Sequence, residues 1–417
     1  MRKIKVPASL GYLLLLFLTL LSGSVLAQQA SPAGTQAAGA AFDLKDGDRV
    51  VFVGNSLFEN DLPYGYLELA LTTRWPKRNV TYRNIGWTGD TVWGQARSYI
   101  TTPPSPYELL IDQLTKAQPT VVFIAYGGIE AQEGEAGLPR FKEGLNKLLD
   151  KIEQLGAKAI LLSPIPVMSA GSPEEVAKRN AMLEVYGAAI AQTASARGKQ
   201  FIDVYKPLLE RSKEVKISDN GLHLNEHGYY YLAATMEKAL GLAPRQDLVS
   251  IHAGKHEAAA TAPAKLLDTG KDSGTIQFTI DTGYLPLPLP EAGEGAAEKG
   301  PVLRITGLKK GFYTLSTDGD QVITASANQW KEGVELRQGA SFSQVRDLQE
   351  QIVKKNDLFF QQYRPLNKTY ILGFRSYEQG RHAKGLEDLG FIITWLEGQI
   401  ALNRMPNSTV YQLTPIK

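Results

Sequence analysis

Between Phe42 and about Leu242, short runs of β-branched and aromatic residues alternate with longer stretches whose apolar positions recur at helical spacing. Strands are predicted over Arg49–Val53, Val80–Asn84, Thr120–Ala125, Ala157–Leu162 and Gln200–Val204. Helices are predicted near Leu62–Trp75, Tyr107–Ala117, Leu138–Leu155, Pro173–Arg197 and Asn225–Leu240, with Asn225 as N-cap of the last. A strand followed each time by a helix is the pattern of a parallel sheet covered on both faces. In such sheets ligands gather where strands end and loops begin, so the loops after the first, second, third and fifth strands are the places to look for chemistry.

Past Leu242 the pattern changes. A polar, Ala-rich connection is expected over residues 246–274, followed over 275–417 by an accessory region of a small sheet plus helices. Its strand-like runs are Thr275–Ile280, Val302–Thr306, Gly311–Ser316 and Gln321–Ala325, and its helical runs are Ser343–Tyr363 and Leu386–Leu402. The Pro-, Gly- and Glu-rich segment Leu285–Gly300 reads as a loop. The main domain is therefore expected over 42–245.

Composition adds a compartment. Arg2, Lys3 and Lys5 precede the apolar run Leu10–Leu21, and small residues close at Val25-Leu26-Ala27, which reads as a secretory signal peptide cleaved near Ala27. The run is shorter than the roughly 20 apolar residues a spanning helix needs, so stable membrane insertion after cleavage is not expected. Residues 28–41, rich in Ala, Gly, Ser and Gln, read as a disordered spacer. Without Met1–Ala27 the chain carries 42 basic against 43 acidic residues, a balance that gives no reason to invoke nucleic acid. The absence of cysteine rules out disulfides and a thiol nucleophile. A secreted or periplasmic protein is the expectation.

Three loops carry candidate chemistry. Val53-Gly54-Asn55-Ser56-Leu57 places a serine between a strand and a helix, where helix N–H groups favour developing negative charge; the same turn would also serve as a simple helix cap. Asn84-Ile85-Gly86-Trp87-Thr88-Gly89-Asp90-Thr91 has closely spaced glycines that bring backbone N–H groups to a ligand or merely form a tight turn. Ser218-Asp219-Asn220-Gly221-Leu222-His223-Leu224-Asn225 puts one of only five histidines just before a helix. A hydroxyl needs an adjacent base to attack at neutral pH, and imidazole titrates in the right range. Trp87, Trp93 and Tyr126 lie in or beside these loops, as candidate faces for a sugar ring or as core. His252 and His256 have the spacing of two metal ligands on a helix, but Ala253-Gly254-Lys255 between them breaks a helix and lacks a zinc-protease glutamate. No metal and no cofactor is expected.

Together these motifs resemble the SGNH/GDSL hydrolase family, exported bacterial members in particular, over about residues 48–242. Gly54-Asn55-Ser56 stands where the family has its Gly-Asp-Ser block, Thr88-Gly89-Asp90-Thr91 where it has the oxyanion glycine, and Gly221-Leu222-His223 at the end of its Asp-Gly-x-His block. The resemblance implies a flavodoxin-like three-layer α/β/α sandwich and a carboxylic ester hydrolase. Ser56 would be the nucleophile, His223 the base, and the N–H groups of Ser56 and Gly89 the oxyanion hole. Asn55, Trp87, Tyr126 and Gly127 are the residues it suggests for substrate binding. Two departures weaken the catalytic apparatus: Ile129 stands where the family has an amide donor, and Asn220 where it has the triad aspartate, with Asp219 one step earlier. Glu130 aligns with a structural aspartate. The expected reaction is removal of acetyl or another short acyl group from a carbohydrate through an acyl-enzyme, the partner being a small-molecule or glycan ester. The alternative is a catalytically impaired glycan-binding protein.

Overall fold

The computed structural model describes residues 42–98, 104–245, 248–254, 259–261, 263–268, 274–290, 300–365 and 382–416. The expected signal peptide and spacer lie outside the described residues, as does His256.

Five strands form the central sheet: β1 (Arg49–Gly54), β2 (Thr81–Asn84), β3 (Val121–Ala125), β4 (Lys158–Leu162) and β5 (Gln200–Ile202). Their order is β2-β1-β3-β4-β5 and every pairing is parallel. The helices are α1 (Ser56–Glu59), α2 (Tyr66–Arg74), α3 (Pro106–Lys116), α4 (Leu138–Gln154), α5 (Pro173–Ala196), α6 (Tyr205–Ser212) and α7 (Glu226–Ala239). Because side chains alternate along a strand, Val50 and Phe52 join one core while Val51 and Val53 join the other. The first core includes Leu67 and Leu71 of α2 with Leu232 and Met236 of α7. The second includes Leu110 of α3, Leu145 and Leu149 of α4, and Ile190 of α5. Both faces being covered, the central strands β1, β3 and β4 are apolar past their first residues, which is why they read as continuous runs, whereas the edge strand β2 is half-buried and partly polar. This is the flavodoxin-like three-layer sandwich, and its strand order reverses between β1 and β3, the edge where such folds bind ligands.

The segment expected to be a plain connection carries strands in its described part. β6 (Leu248–His252), β7 (Ala259–Ala260), β10 (Val302–Thr306) and β13 (Val334–Glu335) form a four-stranded sheet. A five-stranded sheet, in the order β12-β11-β14-β9-β8, holds β8 (Ala264–Asp268), β9 (Ile276–Ile280), β11 (Phe312–Thr317), β12 (Asp320–Ser326) and β14 (Val410–Pro415). The two sheets share a third core, with Ile251 and Ile305 from one, Phe278, Leu315 and Leu413 from the other, and Trp330 of α8 (Ala327–Glu332).

The two long C-terminal helices, α9 (Ala340–Tyr363) and α10 (His382–Asn403), instead belong to the core of the parallel sheet. Val345, Leu348, Ile352 and Ile400 are buried in it, as are Leu285 and Leu287 from the proline-rich loop. Lys355 of α9 is buried against Glu68 of α2, with Nζ to both carboxylate oxygens at 2.8 and 2.7 Å, and Asn356 donates to the same carboxylate at 3.0 Å. A buried carboxylate is costly without such partners. Residues beyond 245 are thus structural members of the parallel-sheet layer as well as a sandwich of their own.

Candidate active site

Ser56 opens the single-turn helix α1 directly after β1. Asn55 caps that helix, its Oδ1 accepting from Leu57 N at 3.1 Å, while Asn55 N donates to Ala125 O at 3.1 Å and pins the turn to the end of β3. Gly54 is needed for this approach: a Cβ there would lie 2.4 Å from Ala125 O. Tyr229 of α7 donates to Leu57 O at 2.9 Å, tying the serine helix to the helix that follows His223.

The histidine loop is held from two sides. Met168 N donates to Gly221 O at 2.8 Å, and Asn225 Oδ1 caps α7 by accepting from Gly228 N at 3.1 Å. Ser56 and His223 consequently line one cleft of about 160 Å³, with Asn55, Gly128, Ile129, Gln132 and Arg179 also on its wall.

The group beside the imidazole is Asn220. Its Oδ1 accepts from Leu222 N at 2.9 Å and His223 N at 2.8 Å, which orients the amide and leaves Nδ2 facing His223 Nδ1 at 3.3 Å. An NH2 group only donates, so Nδ1 accepts and the ring proton sits on Nε2. Asp219 is not the orienting acid: its Oδ1 accepts from Asn225 Nδ2 at 3.3 Å and pairs with Lys216 Nζ at 3.7 Å across an exposed surface.

The loop after β2 packs directly on the serine turn. Trp87 N donates to Gly54 O at 2.9 Å, and Thr88 N donates to Glu59 Oε2. Gly89 is exposed at φ +79°, with open space where a side chain would lie. It is not among the residues lining the cleft of Ser56 and His223. The neighbouring Asp90 is fully buried in an ion pair with Arg97 at 2.8 Å, both side chains 0 % exposed, and also accepts from Tyr126 Oη at 2.8 Å.

That network corrects two expectations about substrate contact. Tyr126 borders the cleft, but it is only 1 % exposed and its hydroxyl is committed to Asp90. Trp87 is buried, with the Arg364 guanidinium 3.8 Å from its ring centroid and that of Arg97 at 5.2 Å. Both rings are therefore covered by protein groups where a sugar would have to stack. Trp93 is similarly engaged, donating from Nε1 to Arg140 O at 3.2 Å. Gly127 is buried beneath the cleft, its N–H donating to Glu130 Oε2 at 2.8 Å, and Glu130 also accepts from Val92 N at 2.9 Å. Glu130 thus staples the loops after β2 and β3 together, and its burial pushes the carboxyl up to about 7.

Gln132 is a cleft residue that the motif comparison passes over. Gln132 N donates to Ile129 O at 3.1 Å, so Gln132 stands one tight turn beyond Ile129, and residues three apart in such a turn project to the same side. Gln132 thus brings an amide-bearing side chain to the wall of the cleft one turn beyond Ile129. The signal for it in the sequence is the i, i+3 spacing alone.

His252 Nδ1 lies 2.8 Å from Thr306 Oγ1. Among the described residues no group of three or more His, Cys, Asp or Glu side chains is arranged to hold a metal, and no helix is long and apolar enough to cross a membrane.

The chain resembles known proteins in part of its sequence and in its fold. Residues 52–231 match the GDSL-like Lipase/Acylhydrolase family, and this segment is a GDSL-like lipase/acylhydrolase domain of SGNH type. The protein is accordingly a hydrolase of ester bonds. Among solved structures, BT4096, described as a gut microbial diltiazem-metabolizing enzyme, superposes with a TM-score of 0.67 at 18 % identity, covering 90 % of this chain and 99 % of that one. A catalytic mutant of Axe2, an acetylxylan esterase from Geobacillus stearothermophilus, covers 48 % of this chain and 98 % of its own at 16 % identity and a TM-score of 0.40. No curated protein sequence matches the chain.

Proposed function

We propose that this protein is an exported serine esterase that removes acetyl or another short acyl group from a carbohydrate, with Ser56 as nucleophile and His223 as base. The observation that carries this reading is the meeting of Ser56 and His223 on one small cleft at the β1/β3 edge. Ser56 attacks the ester carbonyl, His223 takes its proton and returns it to the leaving alcohol, and water then releases the acyl group from Ser56. The developing oxyanion is assigned to the N–H of Ser56 and to that of Gly89, which stands outside the cleft lining on the loop packed against the serine turn, with the Gln132 amide as the donor that Ile129 lacks. Export rests on the Met1–Ala27 pattern, and the carbohydrate on the habits of exported relatives.

The test is hydrolysis of p-nitrophenyl acetate and of acetylated oligosaccharides by the mature protein and by Ser56→Ala. Turnover that survives in Ser56→Ala, or failure of an organophosphate to label Ser56, defeats the proposal. One observation favours a second reading: the Asn220 amide sets the imidazole tautomer unsuited to accept the serine proton. A glycan-binding protein with an impaired site would bind acetylated glycans equally well as wild type and Ser56→Ala, with no turnover in either.

A further inference from the structure

The end of helix α9 reaches the catalytic loops through two consecutive residues, Tyr363 and Arg364. Helix α9 runs from Ala340 along α2, is anchored in its second half by the buried Lys355–Glu68 pair, and ends at Tyr363. There Tyr363 Oη donates to Gly86 O at 3.1 Å, and Arg364 Nη1 donates to Glu59 Oε1 at 2.9 Å. The other oxygen of the same carboxylate, Oε2, accepts from Thr88 N, and the Arg364 guanidinium lies 3.8 Å from the Trp87 ring centroid. Glu59 is the last residue of the turn that Ser56 opens, and Thr88 immediately precedes Gly89. One carboxylate therefore joins the serine turn to the glycine loop. Its counter-charge comes from outside the 52–231 domain.

We propose that Arg364 is a positioning residue for the oxyanion hole, by which helix α9 fixes the Thr88–Gly89 peptide relative to Ser56. The inference rests on the roles given above to Ser56 and Gly89. Arg364 touches neither reacting atoms nor substrate; it acts by holding Glu59 with one nitrogen and Trp87 with its face. Both holds are needed, because a carboxylate without a cation is free to turn toward water and release Thr88 N. Guanidinium offers the planar stacking surface together with the directed N–H, whereas an ammonium offers only the charge. A donor aimed at developing charge matters in the transition state and little in the bound ester, so its misplacement lowers kcat and leaves KM.

The experiment uses the full mature chain. Arg364→Ala, Arg364→Lys and Glu59→Gln are compared with wild type and Ser56→Ala for kcat, KM and melting temperature, and for hydrogen–deuterium exchange in peptides spanning Trp87–Thr91. The expected result for Arg364→Ala is a kcat loss of about ten- to a hundredfold, KM within about twofold, and faster exchange at Thr88. Arg364→Lys should recover only part of the rate. Glu59→Gln should match Arg364→Ala, and the double variant should be no worse than either single, since both break the same link. Unchanged kcat in Arg364→Ala overturns the proposal, as does a loss in kcat accompanied by equal worsening of KM and a collapse of melting temperature. If wild type and Ser56→Ala hydrolyse equally, the catalytic reading has failed and the positioning role falls with it. Exchange separates the two failures: accelerated Thr88 exchange then shows an intact brace on a non-catalytic site, and unaltered exchange shows that the brace itself is absent.

Discussion

Replacing Asn220 by aspartate changes one atom type at the most consequential point of the site. In the native loop the side-chain oxygen is held by Leu222 N and His223 N at 2.9 and 2.8 Å, leaving NH2 at 3.3 Å from His223 Nδ1. In Asn220→Asp one oxygen keeps those two bonds and the other takes the place of NH2. The ring proton then moves to Nδ1, and Nε2 acquires the lone pair that can accept the serine proton. A hydrogen bond to a charged group contributes about 1.5–3 kcal/mol, and the Coulomb attraction of an exposed aspartate for the imidazolium adds about 0.2–1 kcal/mol. The combined gain of about 2–4 kcal/mol corresponds to about thirty- to a thousandfold in kcat at 1.36 kcal/mol per decade. It falls below the roughly 10⁴-fold effect of the reverse exchange in a buried protease triad because residue 220 is exposed and its field is screened. Steady-state hydrolysis of p-nitrophenyl acetate by wild type, Asn220→Asp and the Ser56→Ala/Asn220→Asp pair measures it, the gain vanishing in the pair. A kcat for Asn220→Asp that is unchanged or lower, at an unaltered melting temperature, would refute the tautomer argument.

Three more expectations follow from the same geometry. Gln132→Ala should lower kcat by about a hundredfold, the typical cost of one oxyanion donor, and Gln132→Glu should do no better because a carboxylate cannot donate; equal activity of the alanine variant would remove Gln132 from the mechanism. Glu130 is pushed up from 4.5 to about 7 by burial. Between those pH values the folded state holds a proton that the unfolded state has released, so stability falls as pH rises through the window. Asp61 and Glu68, raised by burial in the same direction, add to that fall. Glu130→Gln should reduce the slope of melting temperature against pH between 4.5 and 7, and an unaltered slope would count against the assignment. Lys355→Ala should destabilise by about 3–5 kcal/mol in urea unfolding, because it leaves the buried Glu68 without its cation; Lys355→Met with Glu68→Leu should recover most of the loss.

Much of the parallel-sheet layer was legible in the chain. A fully buried strand has to be apolar on both faces, and a helix that packs on a sheet has to repeat every three or four residues, so strand and helix bounds fell within a few residues. The short helix α6 was missed because eight residues hold too few turns to establish a period. The C-terminal sandwich was only half legible. β14, at the end of the chain, lies between β11 and β9, and no local pattern states which distant strands it will separate. The composition of the proline-rich segment shows a loop but not its burial: Leu285 and Leu287 enter one core and Leu289 another. Their burial depends on partners that arrive from other parts of the chain.

The sequence by itself determined the layer architecture, the serine at the end of β1, the histidine before α7 and the loss of donor chemistry at Ile129. Each follows from residue type and local spacing, which the chain carries at every position. Tertiary structure alone decided that Asn220 rather than Asp219 faces the imidazole, since a one-residue difference in a loop is settled by which backbone N–H groups are within reach. It alone decided that Trp87 and Tyr126 are spent on Arg364, Arg97 and Asp90 instead of presenting open faces. It also brought Arg364, 308 positions after Ser56, onto the serine turn through Glu59. Contacts across such separations depend on the complete packing of α9 against the sheet, a quantity that no window of sequence contains.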